Sequence, residues 1–183
     1  MSTVFIVGVD HFLQNLESTC LTAAGRESET IQKNALRARL EEVVSQARPG
    51  LVAEEAKLDR DCIGKVIAAA HHCKYCNLTM PWEERFKAGV KKDYDSADDT
   101  RNAAYEVFES FDQVQRNRAN AQSLVVIIGS YHVEGLAELF RVAGDDVHAE
   151  DTYDADWYRG IPLEGDGEIV GFFKERYGRA DRR

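Results

Sequence analysis

Two histidines stand in the same local context, each shortly after an apolar run of strand length. The first run occupies residues 4–7 and leads to His11, the second occupies 124–128 and leads to His132, and a glycine stands three residues before each histidine. Each run predicts a buried strand that ends at the glycine, where the backbone can turn tightly. A neutral imidazole at a strand end can bind a metal ion or act as a general base near neutral pH. The alternative is that each histidine only caps a neighbouring backbone group.

Two adjacent glutamates, Glu54 and Glu55, end a third apolar run at 51–53. If the strands are parallel, their carboxyl ends meet at one edge of the sheet, where open α/β sheets place their sites. Strand side chains alternate between faces, so one glutamate can point into a cleft at that edge while the other meets solvent or a helix. A carboxylate beside two histidines is a mixed oxygen and nitrogen donor set that suits Zn²⁺, Mn²⁺ or Fe²⁺. Two solvated glutamates at the start of a loop are the alternative.

The elements that must position these residues follow an alternating pattern along the chain. Apolar runs of strand length alternate with amphipathic stretches of helix length, which predicts an α/β fold with a mostly parallel central sheet flanked by helices. Ile31 and Phe108 are assigned to the apolar helix faces that contact the sheet. No linker divides the chain, so residues 1–183 are predicted to form one compact domain, with a less regular segment at 150–183. Strands are predicted at 3–7, 51–53, 75–79, 124–128 and 146–149, and helices at 29–47, at 59–70, from Ser96 onward and from 136 to Gly144.

Composition excludes several classes of protein. The 183 residues carry 23 Lys and Arg against 32 Asp and Glu, a formal net charge of −9. This balance argues against nucleic acid as a partner, because binding phosphates needs a basic face, and gives no reason to expect a membrane partner. No stretch approaches the roughly 20 apolar residues that span a bilayer, and the start lacks the basic region of a signal peptide. With four cysteines and no export signal, we expect reduced thiols and a cytoplasmic location.

Cys73 and Cys76 have the Cys-x-x-Cys spacing found in zinc and redox sites. A structural zinc site usually draws a second ligand pair from elsewhere, and a redox pair normally opens a helix. This pair is predicted to enter a strand, so a structural role is favoured over either activity.

Four features in a fixed order give the chain a resemblance to a known family. They are Gly-x-x-His at 8–11, glutamate at 54–55, arginine in the long helix, and Gly-x-x-His at 129–132. The set resembles the TraB/Tiki-type family, part of a group with erythromycin esterase and the haem-associated ChaN proteins. The chain looks like a short, stand-alone bacterial member. The nearest similarity lies at 49–55, 115–118 and 125–136, and it extends to about Val147. The resemblance implies a compact α/β domain in which both histidines and a glutamate converge in one cleft.

The resemblance and the helical period disagree about the arginine. The resemblance implies that Arg116 is a cleft residue. At about 100° per residue, however, Arg118 falls on the apolar face centred on Phe111, whereas Arg116 points away. A guanidinium on that face must pair with a carboxylate or an anionic ligand. Arg116 and Arg118 therefore both remain candidates for a cleft residue. Arg85 is a third candidate that could cover the site from a loop, although a surface position is favoured.

The leading interpretation is a hydrolase acting on a small-molecule or peptide substrate. His11, His132 and Glu55, with Glu54 as the alternate, would bind a divalent ion such as Mn²⁺, Co²⁺ or Zn²⁺, or would jointly activate water without an ion. Tyr131 or an arginine would stabilise the developing oxyanion. A bound ion lowers the pKa of its water to about 7, which removes the need for a serine or cysteine nucleophile.

Two other interpretations stay open. The same cleft could bind a small ligand or a metal ion without turning it over, which a missing carboxylate in the cleft would favour. The chain could also be a protein-interaction component of a bacterial defence or mobile-element system, which an exposed apolar patch or a stable homo-oligomer would favour.

Overall fold

Five parallel strands form one sheet. The computed structural model describes residues 1–14, 16, 22–56, 61–79, 81, 83, 87 and 96–159, of which 11, 12 and 96–103 are described by their backbone alone. The strands are β1 (Thr3–Val9), β2 (Leu51–Glu54), β3 (Lys74–Asn77), β4 (Ser123–Gly129) and β5 (Asp146–Asp151). Their order across the sheet is β3-β2-β4-β1-β5. All neighbouring pairs are parallel, so every strand ends at one side, called here the carboxyl edge.

Helices cover both faces of this sheet. They are α1 (His11–Gln14), α2 (Ala23–Ala47), α3 (Ile63–Ala70), α4 (Ser96–Asn117) and α5 (Val133–Val142). The first three pack on one side, the α2 face, and the last two on the other, the α4 face. The central strands bury apolar side chains on both sides, as in parallel sheets covered by helices. The predicted α/β architecture is therefore confirmed.

Two apolar residues predicted to contact the sheet lie in solvent instead. Phe108 and Ile31 are each 61% exposed. On α4 the sheet-facing positions are Val107, Phe111 and Val114, so Phe108 is rotated by about 100° from that face. Ile31 is displaced in the same way from the buried side of α2.

Gly8 does not end its strand, contrary to the expectation from the sequence. It lies inside β1, which continues to Val9. A Cβ atom at this position would stand 2.5 Å from Cγ2 of Val133 and 3.3 Å from a carboxylate oxygen of Asp151. The glycine is thus required by the close approach of the chain that follows β4, and not by a turn.

The connections that follow β1 and β4 diverge at the carboxyl edge. The chain leaves β1 towards the α2 face, where Leu13 of α1 is buried, and leaves β4 towards the α4 face, where Val133 is buried. Neighbouring strands whose connections diverge in this way form the usual ligand crevice of open α/β sheets. After β5, a short 3₁₀ helix at Thr152–Asp154 leads to Arg159, whose backbone N–H donates to the side chain of Gln32 at 2.9 Å. Within the described helices, none is long and apolar enough to cross a membrane.

Candidate functional site

Both Gly-x-x-His segments reach the carboxyl edge. β1 and β4 are parallel neighbours, so the common edge predicted for the two histidines is confirmed. His132 ends a 3₁₀ helix at Ser130–His132 and is buried. His11 begins α1, but its side chain lies outside the described part of the chain, so its predicted role stays a prediction.

Glu55 follows β2 and is held in place by the adjacent strand. Its backbone N–H donates to the carbonyl of Ile127 at 2.9 Å, which extends the pairing of β2 with β4 by one residue. Its carboxylate Oε2 accepts from the backbone N–H of Gly129 at 3.1 Å. The end of β4 therefore orients the carboxylate and places it beside the turn that carries His132.

A third residue joins Glu55 and His132, and it comes from α4. Nε2 of His132 lies 3.2 Å from Oε2 of Glu106. Glu55, Glu106 and His132 each offer one ligand atom, and all three atoms lie within 4.8 Å of one another. One imidazole nitrogen and two carboxylates form a donor set that suits Zn²⁺ or Mn²⁺. We call these three residues the Glu-Glu-His group; they could hold a metal ion.

The two glutamates of the Glu-Glu-His group, Glu55 and Glu106, line a small cleft. The cavity measures about 20 Å³, which is room for one water molecule. Polar side chains from α4 supply much of its wall. The residues that line it are Glu55, Leu78, Thr79, Tyr105, Glu106, Glu109 and Ser110.

The two nitrogens of His132 have different surroundings. Nε2 faces Glu106, whereas Nδ1 is buried and has no hydrogen-bond partner among the described residues. The neutral tautomer with its proton on Nε2 fits this arrangement, because it donates to Glu106 and leaves Nδ1 as a bare acceptor. If an ion bound Nε2, the proton would have to sit on Nδ1. Metal-binding histidines usually donate that proton to a nearby carboxylate or carbonyl, and Nδ1 of His132 has no such acceptor among the described residues. Loss of such an acceptor typically lowers metal affinity by about 10- to 100-fold, so we expect modest affinity here.

Glu54 points to the opposite face of the sheet, which settles the choice that the sequence left open. It is fully buried under the start of α3. Its carboxylate accepts from the backbone N–H of Gly64 at 3.2 Å and from the hydroxyl of Tyr75 at 3.3 Å. The Tyr75 oxygen lies 3.1 Å from the sulfur of Cys62. Alternation along the strand thus separates Glu54 from the cleft that Glu55 enters.

The Glu54 cluster has shifted acidities that reflect its burial. Burial raises the pKa of Glu54, and hydrogen bonds from Cys62 and Gly64 oppose this only in part. Burial, followed by the charge of Glu54, raises the pKa of Cys62 to about 11. The same two causes raise the pKa of Tyr75. Cys62 therefore stays a thiol at neutral pH and is not an activated nucleophile.

Neither arginine of the long helix lies with the Glu-Glu-His group. Arg116 is exposed and pairs with Asp112 on its own helix, and its guanidinium also lies 3.8 Å from the carboxylate of Glu109, which lines the cleft. Arg118 does face inward, as the helical spacing predicted, but it pairs with the buried Asp145 just before β5. Arg118 and Asp145 lie near the start of β4, and that strand's seven residues span about 20 Å to the carboxyl edge. Arg85 lies outside the described residues.

Tyr131, the predicted oxyanion stabiliser, is not among the residues that line the cleft. Its side chain is 49% exposed. Burial and the charge of Asp10 raise the pKa of Tyr153, and Tyr131 adds a smaller contribution. Tyr158 stacks edge-on against Tyr153 and donates to Asp10 at 2.9 Å. The cleft tyrosine is Tyr105, which sequence reasoning missed.

Glu106 was also missed, although the sequence contains a signal for it. Glu106, Ser110, Gln113 and Asn117 recur at helical spacing beside the apolar face of α4. Gln113 donates to the carbonyl of Leu78 at 3.1 Å, and Asn117 accepts from Lys74. A polar stripe next to an apolar stripe predicts a helix that meets polar atoms of its neighbour along one side.

The Cys-x-x-Cys pair is divided between the two faces of the sheet. Cys73 packs against the α2 face and Cys76 against the α4 face. Their thiols are free. One ion cannot be held by side chains on opposite sides of a sheet, which agrees with the structural role favoured above.

Comparison with protein-family models, with curated proteins and with solved structures finds no match to this chain. The resemblance to the TraB/Tiki-type family therefore stays a prediction. The assignment of the cleft rests on its own geometry.

Proposed function

We propose that this protein is a metal-dependent hydrolase whose divalent ion is held by Glu55, Glu106 and His132. The observation that carries the proposal is the convergence of three ligand atoms within 4.8 Å at the carboxyl edge of a parallel sheet. Catalytic zinc sites typically use three protein ligands and keep a further position open for water or substrate. Mn²⁺, Co²⁺ and Zn²⁺ are the candidate ions, and His11, which the sequence predicts as a ligand together with His132 and Glu55, would add to this set.

The chain's own residues have distinct tasks in this proposal. An ion held by these residues would supply a water of lowered pKa and would polarise the substrate carbonyl. Glu55 is oriented by the Gly129 N–H, and Glu106 and His132 hold each other in place. Glu109, one turn beyond Glu106 on the same wall of the cleft, takes the proton from the attacking water.

The reaction adds one water across an acyl bond. The water oxygen bonds to the carbonyl carbon as its proton passes to Glu109. The bond from that carbon to the leaving oxygen or nitrogen then breaks, and Glu109 returns the proton to the leaving group. The products are a carboxylic acid and an alcohol or amine. Esters, lactones and peptides of small size are the substrate classes that this step accommodates.

The test begins with ion binding. Protein stripped with EDTA is titrated with Mn²⁺, Co²⁺ and Zn²⁺ up to high micromolar concentration, because we expect modest affinity. One ion should bind per chain, and Glu55→Gln, Glu106→Gln and His132→Ala should each weaken binding by about tenfold or more. His148→Ala and Glu138→Gln serve as matched controls, since both side chains are exposed and lie away from the cleft. Unchanged binding in the three variants would contradict the proposed site.

Turnover is then measured with the best ion. 4-Nitrophenyl acetate, δ-valerolactone and an aminoacyl 4-nitroanilide cover the three substrate classes. Hydrolysis should require the ion, disappear with EDTA, and fall in Glu109→Gln without loss of ion affinity. An ion bound without hydrolysis of any substrate would refute the catalytic part and favour the metal-binding module. His11→Ala separately tests the predicted contribution of His11 by its effect on ion affinity.

A further inference from the structure

Ser110 is a buried hydroxyl that the proposed mechanism does not use. It lies in α4, is only 4% exposed, and nevertheless lines the same cleft as Glu55 and Glu106. Its oxygen is not among the fully buried, unpartnered side-chain atoms of the described residues, so the hydroxyl is open to the cleft that the residue lines. Alanine is the better helix former at such a position, so helix stability does not account for the serine. The hydroxyl is therefore available to a ligand in the cleft.

The position of Ser110 is fixed by contacts on both sides of it. Glu106 and Ser110 are four residues apart on one helix, so they share a face with their Cβ atoms about 5–6 Å apart. Glu106 is tied to His132 of the β4 connection. Gln113, on the next turn, is tied to the carbonyl of Leu78 after β3. These two contacts hold the helix at the rotation that aims Ser110 at the cleft.

We propose that the hydroxyl of Ser110 donates a hydrogen bond to an oxygen atom of the ligand held at the Glu-Glu-His group. Ser110 is then a specificity-determining residue that favours ligands with a carbonyl or hydroxamate oxygen over ligands that bind an ion through nitrogen alone. The carboxylates of the cleft can only accept hydrogen bonds. The Ser110 hydroxyl can donate one, which a ligand oxygen needs and the carboxylates cannot provide. The inference rests on the proposed function, because it requires an ion at that group.

The test uses the Co²⁺-loaded protein and two small probes. Acetohydroxamic acid presents oxygen atoms, whereas imidazole binds cobalt through nitrogen and offers no oxygen. Binding of each probe is followed by the visible absorption of the cobalt ion. Ser110→Ala should lower the affinity for acetohydroxamic acid about 5- to 10-fold, which is the effect of one lost hydrogen bond. Its affinities for Co²⁺ and for imidazole should stay unchanged, and Ser110→Thr should restore hydroxamate binding.

Controls separate this inference from the proposed function. Ser45→Ala, an exposed serine-to-alanine change on α2, should alter neither probe. Equal hydroxamate binding by wild type and Ser110→Ala, with Co²⁺ bound to both, overturns the inference and leaves the ion site standing. Parallel loss of both probes or of Co²⁺ itself in Ser110→Ala also overturns it, because the serine would then only support the fold. Failure of the wild-type protein to bind Co²⁺ removes the proposed function and the inference together.

Discussion

The buried carboxyl of Glu54 makes the stability of this protein depend on pH in an unusual direction. Its pKa is raised by burial, so in the window above about 4.5 the folded chain keeps a proton that the unfolded chain releases. Stability then falls as pH rises through that window and levels off above the folded pKa. Carboxylates with lowered pKa values act in the opposite way, because they lose stability as pH falls.

Glu54→Gln isolates this effect. Glutamine has nearly the same shape, its carbonyl can still accept from the Gly64 N–H, and it does not titrate. Release of one proton gives a slope of at most about 1.4 kcal/mol per pH unit. The free energy of unfolding of Glu54→Gln, minus that of wild type, should therefore increase from pH 4.5 upward with a slope approaching this limit. It should become constant above the folded pKa of Glu54.

The measurement is urea denaturation of both proteins at half-unit steps from pH 4.5 to 8. EDTA is present throughout, so that the neighbouring Glu55 carries no ion. Taking the difference cancels groups that titrate alike in the two proteins. Glu138→Gln, an exposed change, is the control and should give a nearly flat difference. A difference that is flat, or that decreases with pH, for Glu54→Gln would refute the argument that burial dominates the acidity of Glu54.

Two further predictions concern stability away from the cleft. Asp145→Ala should lower the free energy of unfolding by about 2–3 kcal/mol in urea, because it strands the Arg118 guanidinium and the Ser2 N–H that Asp145 accepts from; Asp146→Ala, an exposed neighbour, should cost far less. Ala119→Gly should raise the melting temperature by about 2–4 °C, because Ala119 has a φ of 44° that glycine adopts without strain. Ala104→Gly, an exposed alanine inside α4, should lower it, and equal shifts in both variants would contradict the strain.

The sheet could be predicted from the sequence because its signals are local. A short apolar run bounded by a glycine or a proline indicates a buried strand. The runs at 4–7, 51–53 and 124–128 each lie inside a strand, and the positions of their ends bring the two Gly-x-x-His segments to one edge. Strict alternation also predicted that Glu54 and Glu55 would separate, although not which one would enter the cleft.

The arginines show where local patterns stop being sufficient. The helical spacing correctly predicted that Arg118 faces inward. It does not indicate which edge of the sheet the end of the helix approaches. α4 runs back to the start of β4, so its last turn lies at the amino edge and its earlier turns lie near the carboxyl edge. Arg118 therefore meets Asp145, and a glutamate three turns earlier meets His132.

The membership of Glu106 in the Glu-Glu-His group depends on how α4 is rotated about its own axis. Glu55 and His132 are attached to adjacent strands, so the register of the sheet sets their separation. Glu106 has no such constraint within its own segment. Its direction is set by Val107 and Phe111, which pack on the sheet, and by Gln113, which bonds Leu78. A rotation of α4 by one residue, about 100°, would turn Glu106 out of the cleft. The packing of Val107 and Phe111 on the sheet therefore determines whether Glu106 can reach His132.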